Sequence, residues 1–179
     1  GVPVYYRRRQ DNAARKPGNI AEWLRRWGGG YDYMLTLDAD SRVSAATVAG
    51  LVHRMETSPE VGLVQAGMRL TGGESRFGRL QQLATRLYWP TYAAGIASWA
   101  GNEGNYWGHN ALIRTAAFAE AAGLPQLSGR PPFGGDVLSH DFVEAAWLRR
   151  AGWAVVFEPN TPGSAEGGPE TLMAFHKRD

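Results

Sequence analysis

One stretch of the sequence decides the fold: Tyr33-Met34-Leu35-Thr36-Leu37-Asp38-Ala39-Asp40-Ser41. It is an apolar run that ends in two carboxylates one residue apart, and a short apolar run before a break is typical of a buried strand. Because ligands in open α/β sheets collect at the carboxyl ends of strands, the pattern predicts that Asp38 and Asp40 lie at a site. Their hard oxygen atoms suit Mg²⁺ or Mn²⁺ carrying a phosphorylated substrate. The same pair is also compatible with an ordinary turn, where Asp is common.

Strand and helix patterns alternate on both sides of this stretch. Residues 2–6 are strand-like, and a first helix is predicted with Asn19 as its cap and the triple glycine of residues 28–30 as its stop. A second helix is predicted after its cap Ser44, and residues 61–66 are predicted to form the next strand. This alternation is typical of a mainly parallel sheet with helices on its faces, so the predicted fold class is α/β.

The second half of the chain is predicted to hold one long helix and several shorter elements. Residues 76–100 have a helical pattern, and Pro90 is expected to kink or divide that helix. Residues 124–137 are rich in Pro and Gly, which predicts a loop, and a helix is expected from Ser139. The shorter predictions are a strand at 107–114, a helix at 115–122, a strand at 156–157 and a helix at 170–177.

The length and composition limit the kinds of protein and the kinds of site that the chain can form. With 179 residues the chain is predicted to form a single domain, residues 1–179. It contains no Cys, which excludes disulfides, thiolate metal sites and cysteine nucleophiles. No stretch reaches the roughly 18 to 20 apolar residues of a membrane span. Because the chain starts at Gly1 rather than at an initiator Met and opens directly on a strand-like run, we expect it to be part of a longer protein.

Positive charge is concentrated at the start of the chain. The net charge is +2, but residues 1–30 carry seven Lys or Arg against two acidic residues, which gives +5 there and −3 in the remainder. A basic segment of this kind is compatible with a nucleic acid, an anionic lipid, a diphosphate or plain solvent.

Three further short segments carry polar groups that could serve a site. Ser139 and Asp141 lie where the long loop meets a helix, so either could cap that helix. Asp141 could instead be a general base that His140 orients. Residues 108–110 (Gly-His-Asn) follow a Gly/Asn turn, where a purely structural His is the more common role. Residues 16–19 (Lys-Pro-Gly-Asn) precede the first predicted helix, whose N–H groups could face an anion.

Four motifs, in this order, resemble those of the inverting, processive family 2 glycosyltransferases: Lys16-Pro17-Gly18-Asn19, Asp38-Ala39-Asp40, Gly108-His109-Asn110-Ala111 and His140-Asp141. Longer blocks around them resemble a membrane enzyme of that family over essentially the whole chain. The resemblance implies the GT-A fold, a Rossmann-like α/β fold whose mixed, mainly parallel sheet is flanked by helices. It also implies that a first strand with an early Asp precedes Gly1, and that a Gln/Arg-x-x-Arg-Trp acceptor motif follows Asp179.

The same resemblance implies roles for individual residues. Asp38 would contact the nucleotide, and Lys16 would lie near it. Asp40, the second acid of a DxD motif, would bind Mg²⁺ or Mn²⁺ on the diphosphate. Asp141 would be the catalytic base that deprotonates the acceptor hydroxyl. The acceptor or the donor sugar would lie close to four further residues: Gly108, His109, Asn110 and His140.

The resemblance also implies the partners and the location. The donor would be UDP-glucose, the acceptor a growing β-glucan, and no nucleic acid would bind. The parent protein would be held in the cell inner membrane through regions outside residues 1–179, with this domain on the cytoplasmic face.

Two alternatives follow from the residues themselves. A metal-dependent phosphohydrolase would use His53, His109 and the pair His140-Asp141, although such histidine-aspartate hydrolases are all-helical. A non-enzymatic anion-binding module would use the basic start of the chain, and its binding would fall steeply with salt.

Overall fold

The computed structural model describes residues 2–130, 134–137 and 139–178, and within them it has six α-helices and seven strands. The helices are α1 (Arg15–Trp27), α2 (Ala45–Thr57), α3 (Arg76–Ala100), α4 (Thr115–Ala121), α5 (His140–Arg150) and α6 (Leu172–Arg178). The strands are β1 (Tyr33–Thr36), β2 (Arg42–Val43), β3 (Val61–Ala66), β4 (Arg69–Thr71), β5 (Ala111–Arg114), β6 (Ala154–Glu158) and β7 (Ser164–Gly167).

The main sheet has the order β1-β5-β3-β6. Strand β5 is antiparallel to both β1 and β3, whereas β3 is parallel to β6. Three of the four strands therefore point the same way, with β5 reversed between them. This confirms the predicted α/β class with a mixed, mainly parallel sheet flanked by helices.

A smaller second sheet has the order β2-β7-β4. Strand β7 is antiparallel to β2 and parallel to β4. None of these strands was predicted, because segments of two to four residues are too short to show a period of two. The sheet matters for function, since β2 begins directly after the turn that holds Asp40.

The core lies on both faces of the main sheet because neighbouring residues of a strand point to opposite sides. Leu63, Ile113 and Val155 are fully buried on one face, together with apolar residues of α1, α4 and α5. Val64 packs on the other face against α2. Each such buried aliphatic side chain contributes about 1.5–3 kcal/mol to stability, so this burial stabilises the sheet whose edge carries the predicted site.

The long, periodic elements agree with the predictions. Ser44 caps α2 through a hydrogen bond from the Thr47 backbone N–H to its Oγ (3.2 Å), and all six residues of β3 are buried. Helix α3 runs from Arg76 to Ala100, and Pro90 does not divide it. The predicted loop at 124–137 is irregular in its described part, while residues 131–133 lie outside the described residues.

Three local predictions were wrong: the cap of the first helix, the strand at residues 2–6 and the start of the strand at residues 107–114. Asn19 is not a cap, because α1 begins at Arg15 and Pro17 fits its first turn, where a backbone N–H needs no partner. Residues 2–6 form no strand with any described segment, and the side chains of Val2, Val4, Tyr5 and Tyr6 are more than 80% exposed.

Residues 107–110 are also not part of a strand, so β5 begins four residues later than predicted. The reason is local backbone geometry: φ is +82° at Gly108 and +50° at Asn110, which an extended strand does not allow.

No described helix is long and apolar enough to cross a membrane.

Candidate active site

Asp38 and Asp40 lie just beyond the carboxyl end of β1, as predicted. Reciprocal hydrogen bonds close the turn: the Asp38 backbone N–H donates to Ser41 Oγ (3.0 Å), and the Ser41 N–H donates to the Asp38 carbonyl (3.1 Å). The turn therefore holds both carboxylates at the edge of the sheet. Asp38 is half-buried and Asp40 is exposed.

Lys16 reaches Asp38 from the first turn of α1, where its Nζ forms an ion pair with Asp38 Oδ1. It lies four residues before Ile20, which packs on the core, so both side chains leave the same side of α1. The Lys16 and Asp38 side chains are 30% and 40% exposed. The structure thus joins the first two motifs through a solvent-accessible ion pair.

Asp40 lies against strand β7. A Cβ atom added to Gly167 would lie 3.2 Å from Asp40 Oδ2, which is tighter than an ordinary van der Waals contact. Gly167 therefore leaves room for the Asp40 carboxylate at the end of the small sheet. Sequence reasoning missed this residue, because its role depends on a strand that was not predicted.

Tyr106 connects the end of β1 to the Gly-His-Asn segment. Its side chain is fully buried; the hydroxyl lies 3.0 Å from Thr36 Oγ1 and donates to the Gly108 carbonyl (2.9 Å). Burial raises the pKa of Tyr106 well above its ordinary value of 10.0, and the charges of Glu144, Asp141 and Asp38 raise it further. Tyr106 therefore stays a neutral hydrogen-bonding group. It was not among the predicted site residues.

Asp141 lies in the first turn of α5, facing Gly108. Its Oδ1 accepts a hydrogen bond from the Phe142 backbone N–H (3.0 Å), and a Cβ on Gly108 would lie 3.4 Å from its Oδ2. Gly108 is thus favoured both by its positive φ and by the close carboxylate. The partial positive charge of a helix N-terminus makes an acidic side chain favourable at this position. Ser139 occupies the cap position, but its side chain makes no capping hydrogen bond.

His140 does not bind Asp141 but pairs with a residue that sequence reasoning missed. Its Nδ1 lies 3.1 Å from Oε2 of Glu144, whose side chain is only 2% exposed. Burial raises the pKa of Glu144 above its ordinary 4.5, and the Asp141 charge adds to this effect. His140 and Lys16 act in the opposite direction. The i,i+4 spacing of His140 and Glu144 was the available signal in the sequence.

His109 and Asn110 attach the motif to β7. His109 Nε2 lies 3.4 Å from Glu166 Oε2, and the two side chains are about 10% exposed. Asn110 Nδ2 donates to Ser164 Oγ (3.0 Å). Both residues are buried rather than open to a cleft. Their contacts hold the strand whose Gly167 lies against Asp40.

Gln65 is a second buried polar residue that was not predicted. Its Nε2 donates to the His109 carbonyl (3.0 Å), and its Oε1 accepts from the Trp107 backbone N–H (2.9 Å). Gln65, on the fully buried strand β3, thus supplies hydrogen-bond partners for the backbone of the irregular segment at residues 107–109. Without these bonds the buried N–H and C=O groups would be unpaired, at a cost of about 1–3 kcal/mol each.

A cavity of about 910 Å³ opens beside β1, with Asp38 and Ala39 in its wall. Another part of the wall is basic and includes Arg7, Arg8, Arg9, Arg15 and Lys16. Glu22 partly neutralises this wall, since it forms ion pairs with Arg7 (2.8 Å) and Arg9 (3.1 Å). The remaining positive charge and the carboxyl end of β1 line the same cavity, which suits an anion that also binds a cation.

The described residues contain no group of three or more His, Cys, Asp or Glu side chains placed to hold a metal ion. Asp40 can still contribute to a metal site, because Mg²⁺ is often bound through one or two carboxylates, with substrate phosphates and water as its other ligands. The exposed carboxylate of Asp40 fits that pattern.

The phosphohydrolase alternative is wrong. It requires several His ligands at one place, but His109 pairs with Glu166 and His140 pairs with Glu144. His53 is exposed on α2. The sheet at the centre of the molecule also contradicts an all-helical fold.

The strand-end carboxylates, the basic cavity and the mixed sheet agree with the family that the motifs resemble. A family model described as glycosyl transferase family group 2 matches residues 33–179, and the chain belongs to this family. The predicted family and its GT-A fold are therefore confirmed.

Two curated relatives make the comparison more specific. The chain is 56% identical over 176 residues to glucans biosynthesis glucosyltransferase H of Xanthomonas campestris pv. campestris (strain B100), covering 98% of this chain and 27% of the relative. It is 53% identical over 176 residues to the protein of the same name from Shewanella sp. (strain ANA-3), covering 98% of this chain and 24% of the relative. The chain thus spans about a quarter of the length of these relatives.

Proposed function

We propose that this domain transfers a glucosyl residue from UDP-glucose to a growing β-glucan with inversion at the anomeric carbon. Membership of the glycosyltransferase family and the printed names of the two relatives support the reaction class and the glucan product. The donor, the acceptor and the role of each residue are what the family resemblance implies, and the geometry of the site is compatible with them.

The donor would bind at the end of β1. Asp38 would contact the nucleotide, and Asp40 would help to hold a Mg²⁺ or Mn²⁺ ion on the diphosphate. When bound, such an ion offsets the negative charge that develops as UDP leaves. The ammonium group of Lys16, which contacts Asp38, would attract the diphosphate.

The acceptor would be activated by Asp141. Its Oδ1 is held by the Phe142 backbone N–H, which leaves Oδ2 to take the proton of the acceptor hydroxyl. The hydroxyl oxygen then forms a bond to C1 of glucose while the bond from C1 to the β-phosphate oxygen breaks on the opposite face. A positioned base of this kind contributes roughly 10² to 10⁴ in rate.

One observation supports this assignment most strongly: a single buried side chain links the two carboxylate regions. The Tyr106 hydroxyl contacts Thr36, two residues before Asp38, and the Gly108 carbonyl, next to Asp141. A donor diphosphate at the first region and an acceptor hydroxyl at the second would therefore be held in one fixed frame.

The test is UDP binding by the full-length protein, measured by calorimetry with and without Mg²⁺ or Mn²⁺. We expect metal to strengthen binding in the wild type, and we expect Asp40→Asn to remove that dependence. Asp32→Asn is the matched control, since Asp32 is an exposed Asp before β1. Metal-independent binding of equal strength in all three proteins would exclude Asp40 as a ligand.

A further inference from the structure

Strand β7 has two faces with different neighbours. Successive side chains of a strand point to opposite faces of the sheet. Ser164 and Glu166 are buried, whereas Ala165 and Gly167 are half-buried. This short strand therefore has an inner face, formed by Ser164 and Glu166, and a second face on which Asp40 lies.

The inner face of β7 is held by the two buried residues that precede β5. His109 Nε2 lies 3.4 Å from Glu166 Oε2, and Asn110 Nδ2 donates a hydrogen bond to Ser164 Oγ (3.0 Å). The Asn110 carbonyl accepts a hydrogen bond from the backbone N–H of Ala66 (3.0 Å), the last residue of β3. Two adjacent side chains thus hold β7 against the central sheet.

Asp40 depends on β7 for both its backbone and its side chain. Strand β2 begins two residues after Asp40, and its Arg42 lies opposite Ala165 in the antiparallel pair with β7. A Cβ atom added to Gly167 would lie 3.2 Å from Asp40 Oδ2. Strand β7 therefore locates the turn that carries Asp40 as well as the carboxylate itself.

The side chains of His109 and Asn110 are poorly placed to contact a sugar. Both are buried, and Asn110 is 0% exposed. Nε2 of His109 faces Glu166, and its Nδ1 lies 3.4 Å from Asn110 Oδ1, so both ring nitrogens face protein atoms. A sugar hydroxyl would have to displace one of these contacts and leave a buried polar group unpaired.

We infer that His109 and Asn110 are positioning residues for Asp40, and that they act through β7 on the carboxylate proposed to bind the metal ion. The inference rests on the proposed function, because it concerns the metal site of that reaction. It differs from the role that the family resemblance implies, in which both residues lie close to a sugar. Replacing a group that orients a metal ligand lowers metal affinity by roughly 10- to 100-fold.

Calorimetry of UDP binding to the full-length protein, with and without Mn²⁺, tests the inference. His109→Ala and Asn110→Gly each remove one contact with β7, and glycine tolerates the φ of +50° at position 110. In both variants we expect UDP binding in the presence of Mn²⁺ to weaken by about tenfold, whereas binding without the metal should not change. UDP-glucose should show the same loss as UDP.

Substitutions in β7 test its two faces separately. In Glu166→Gln the amide oxygen can still accept a hydrogen bond from His109, so the metal dependence should be retained, whereas Glu166→Ala should behave like His109→Ala. Gly167→Ala leaves the inner face intact but places a methyl group against Asp40 Oδ2. It should also weaken Mn²⁺-dependent binding by about tenfold.

Two controls separate positioning from a general loss of stability. Arg114→Met removes hydrogen bonds to the carbonyls of Val61 (3.1 Å) and Met55 (3.0 Å), and Arg114 pairs with the end of β1 that lies away from Asp40. It should lower stability in urea denaturation without changing the metal dependence. Gly29→Ala adds a methyl group where nothing lies within 4 Å, and it should bind UDP like the wild type.

The inference is overturned if His109→Ala and Asn110→Gly keep the wild-type metal dependence while Asp40→Asn loses it. A loss confined to UDP-glucose would overturn it in favour of a direct sugar contact, and an equal loss in Arg114→Met would overturn it in favour of a purely structural role. If Mn²⁺ does not strengthen UDP binding by the wild type, or if Asp40→Asn keeps that effect, the proposed role of Asp40 itself fails, and the inference fails with it.

Discussion

The two sides of the site are built in opposite ways. On the side proposed to bind the donor (the donor side), Lys16 and Asp38 form an ion pair whose side chains are 30% and 40% exposed. On the acceptor side, Glu144 is 2% exposed and Tyr106 is fully buried, and both are hydrogen-bonded. An exposed ion pair is worth about 0–1 kcal/mol and opens easily, whereas removing one partner of a buried pair costs several kcal/mol. The donor side is therefore suited to exchange its partners, and the acceptor side is suited to keep its geometry.

The largest expected effect tests the acceptor side. Asp141→Asn should reduce glucosyl transfer by about 10² to 10⁴ because the amide cannot take the proton from the acceptor hydroxyl. UDP affinity should remain near that of the wild type, since the donor side is untouched. Transfer is measured with radiolabelled UDP-glucose and the full-length protein.

Asp136→Asn is the control for that experiment, because Asp136 is an exposed Asp on the long loop before α5. It should transfer glucose at the wild-type rate. If Asp141→Asn retained turnover, Asp141 would not be the base. The proposed difference in function between the two sides would then be contradicted.

The next effect is on stability. Tyr106→Phe removes the hydroxyl that contacts Thr36 and the Gly108 carbonyl, and the carbonyl is left without that partner. We expect the free energy of unfolding to fall by about 1–3 kcal/mol, measured by urea denaturation. Tyr92→Phe, at an exposed position on α3, should change it by less than about 0.5 kcal/mol. Equal values for both variants would show that the buried frame does not depend on this hydroxyl.

The difference between local signals and tertiary contacts explains which elements of the fold could be predicted from the sequence. Helix α2 and strand β3 were predicted because their signals are local: a serine cap, helical spacing and a continuous apolar run. Strand β7 was not predicted, because its four residues form a strand only through pairing with β2 and β4. Residues 2–6 show the converse, since a strand-like sequence forms no strand without a described partner.

The residues of the site likewise fall into a group that could be predicted from the sequence and a group that could not. Asp38, Asp40 and Asp141 were predicted because carboxylates at element ends are visible in a sequence. Tyr106 and Gln65 were not, because only the folded structure shows which buried polar side chains satisfy a neighbouring irregular backbone. Motifs thus point to candidate ligand-binding groups, whereas the groups that hold them in place depend on tertiary contacts.

A smaller effect is expected on the donor side. Lys16→Ala opens the ion pair with Asp38, and the free energy of unfolding should fall by no more than about 1 kcal/mol because the pair is accessible to solvent. UDP should bind roughly tenfold more weakly, since a charge that faces the diphosphate is lost. Denaturation and calorimetry on the same samples give both values. Lys177→Ala, at an exposed position on α6, is the control. A stability loss in Lys16→Ala as large as that of Tyr106→Phe would contradict the contrast between the two sides.

The smallest effect is a pH dependence that arises from Glu144. Its pKa is raised above 4.5 because the side chain is buried and Asp141 is close, while His140 and Lys16 offset part of this shift. In a window above pH 4.5 the folded protein therefore holds a proton that the unfolded chain has released. The stabilisation linked to that proton is complete below the unfolded pKa and is lost as the pH rises through the folded one. Glu144→Gln stays neutral, so the wild type should lose stability relative to the variant as the pH rises above 4.5. Denaturation curves at several pH values give the difference between the two proteins, in which the other carboxylates cancel. If the stability of the two proteins changed equally with pH, Glu144 would be ionised in the folded protein. The buried pair of His140 and Glu144 would then be charged, like the exposed pair of Lys16 and Asp38.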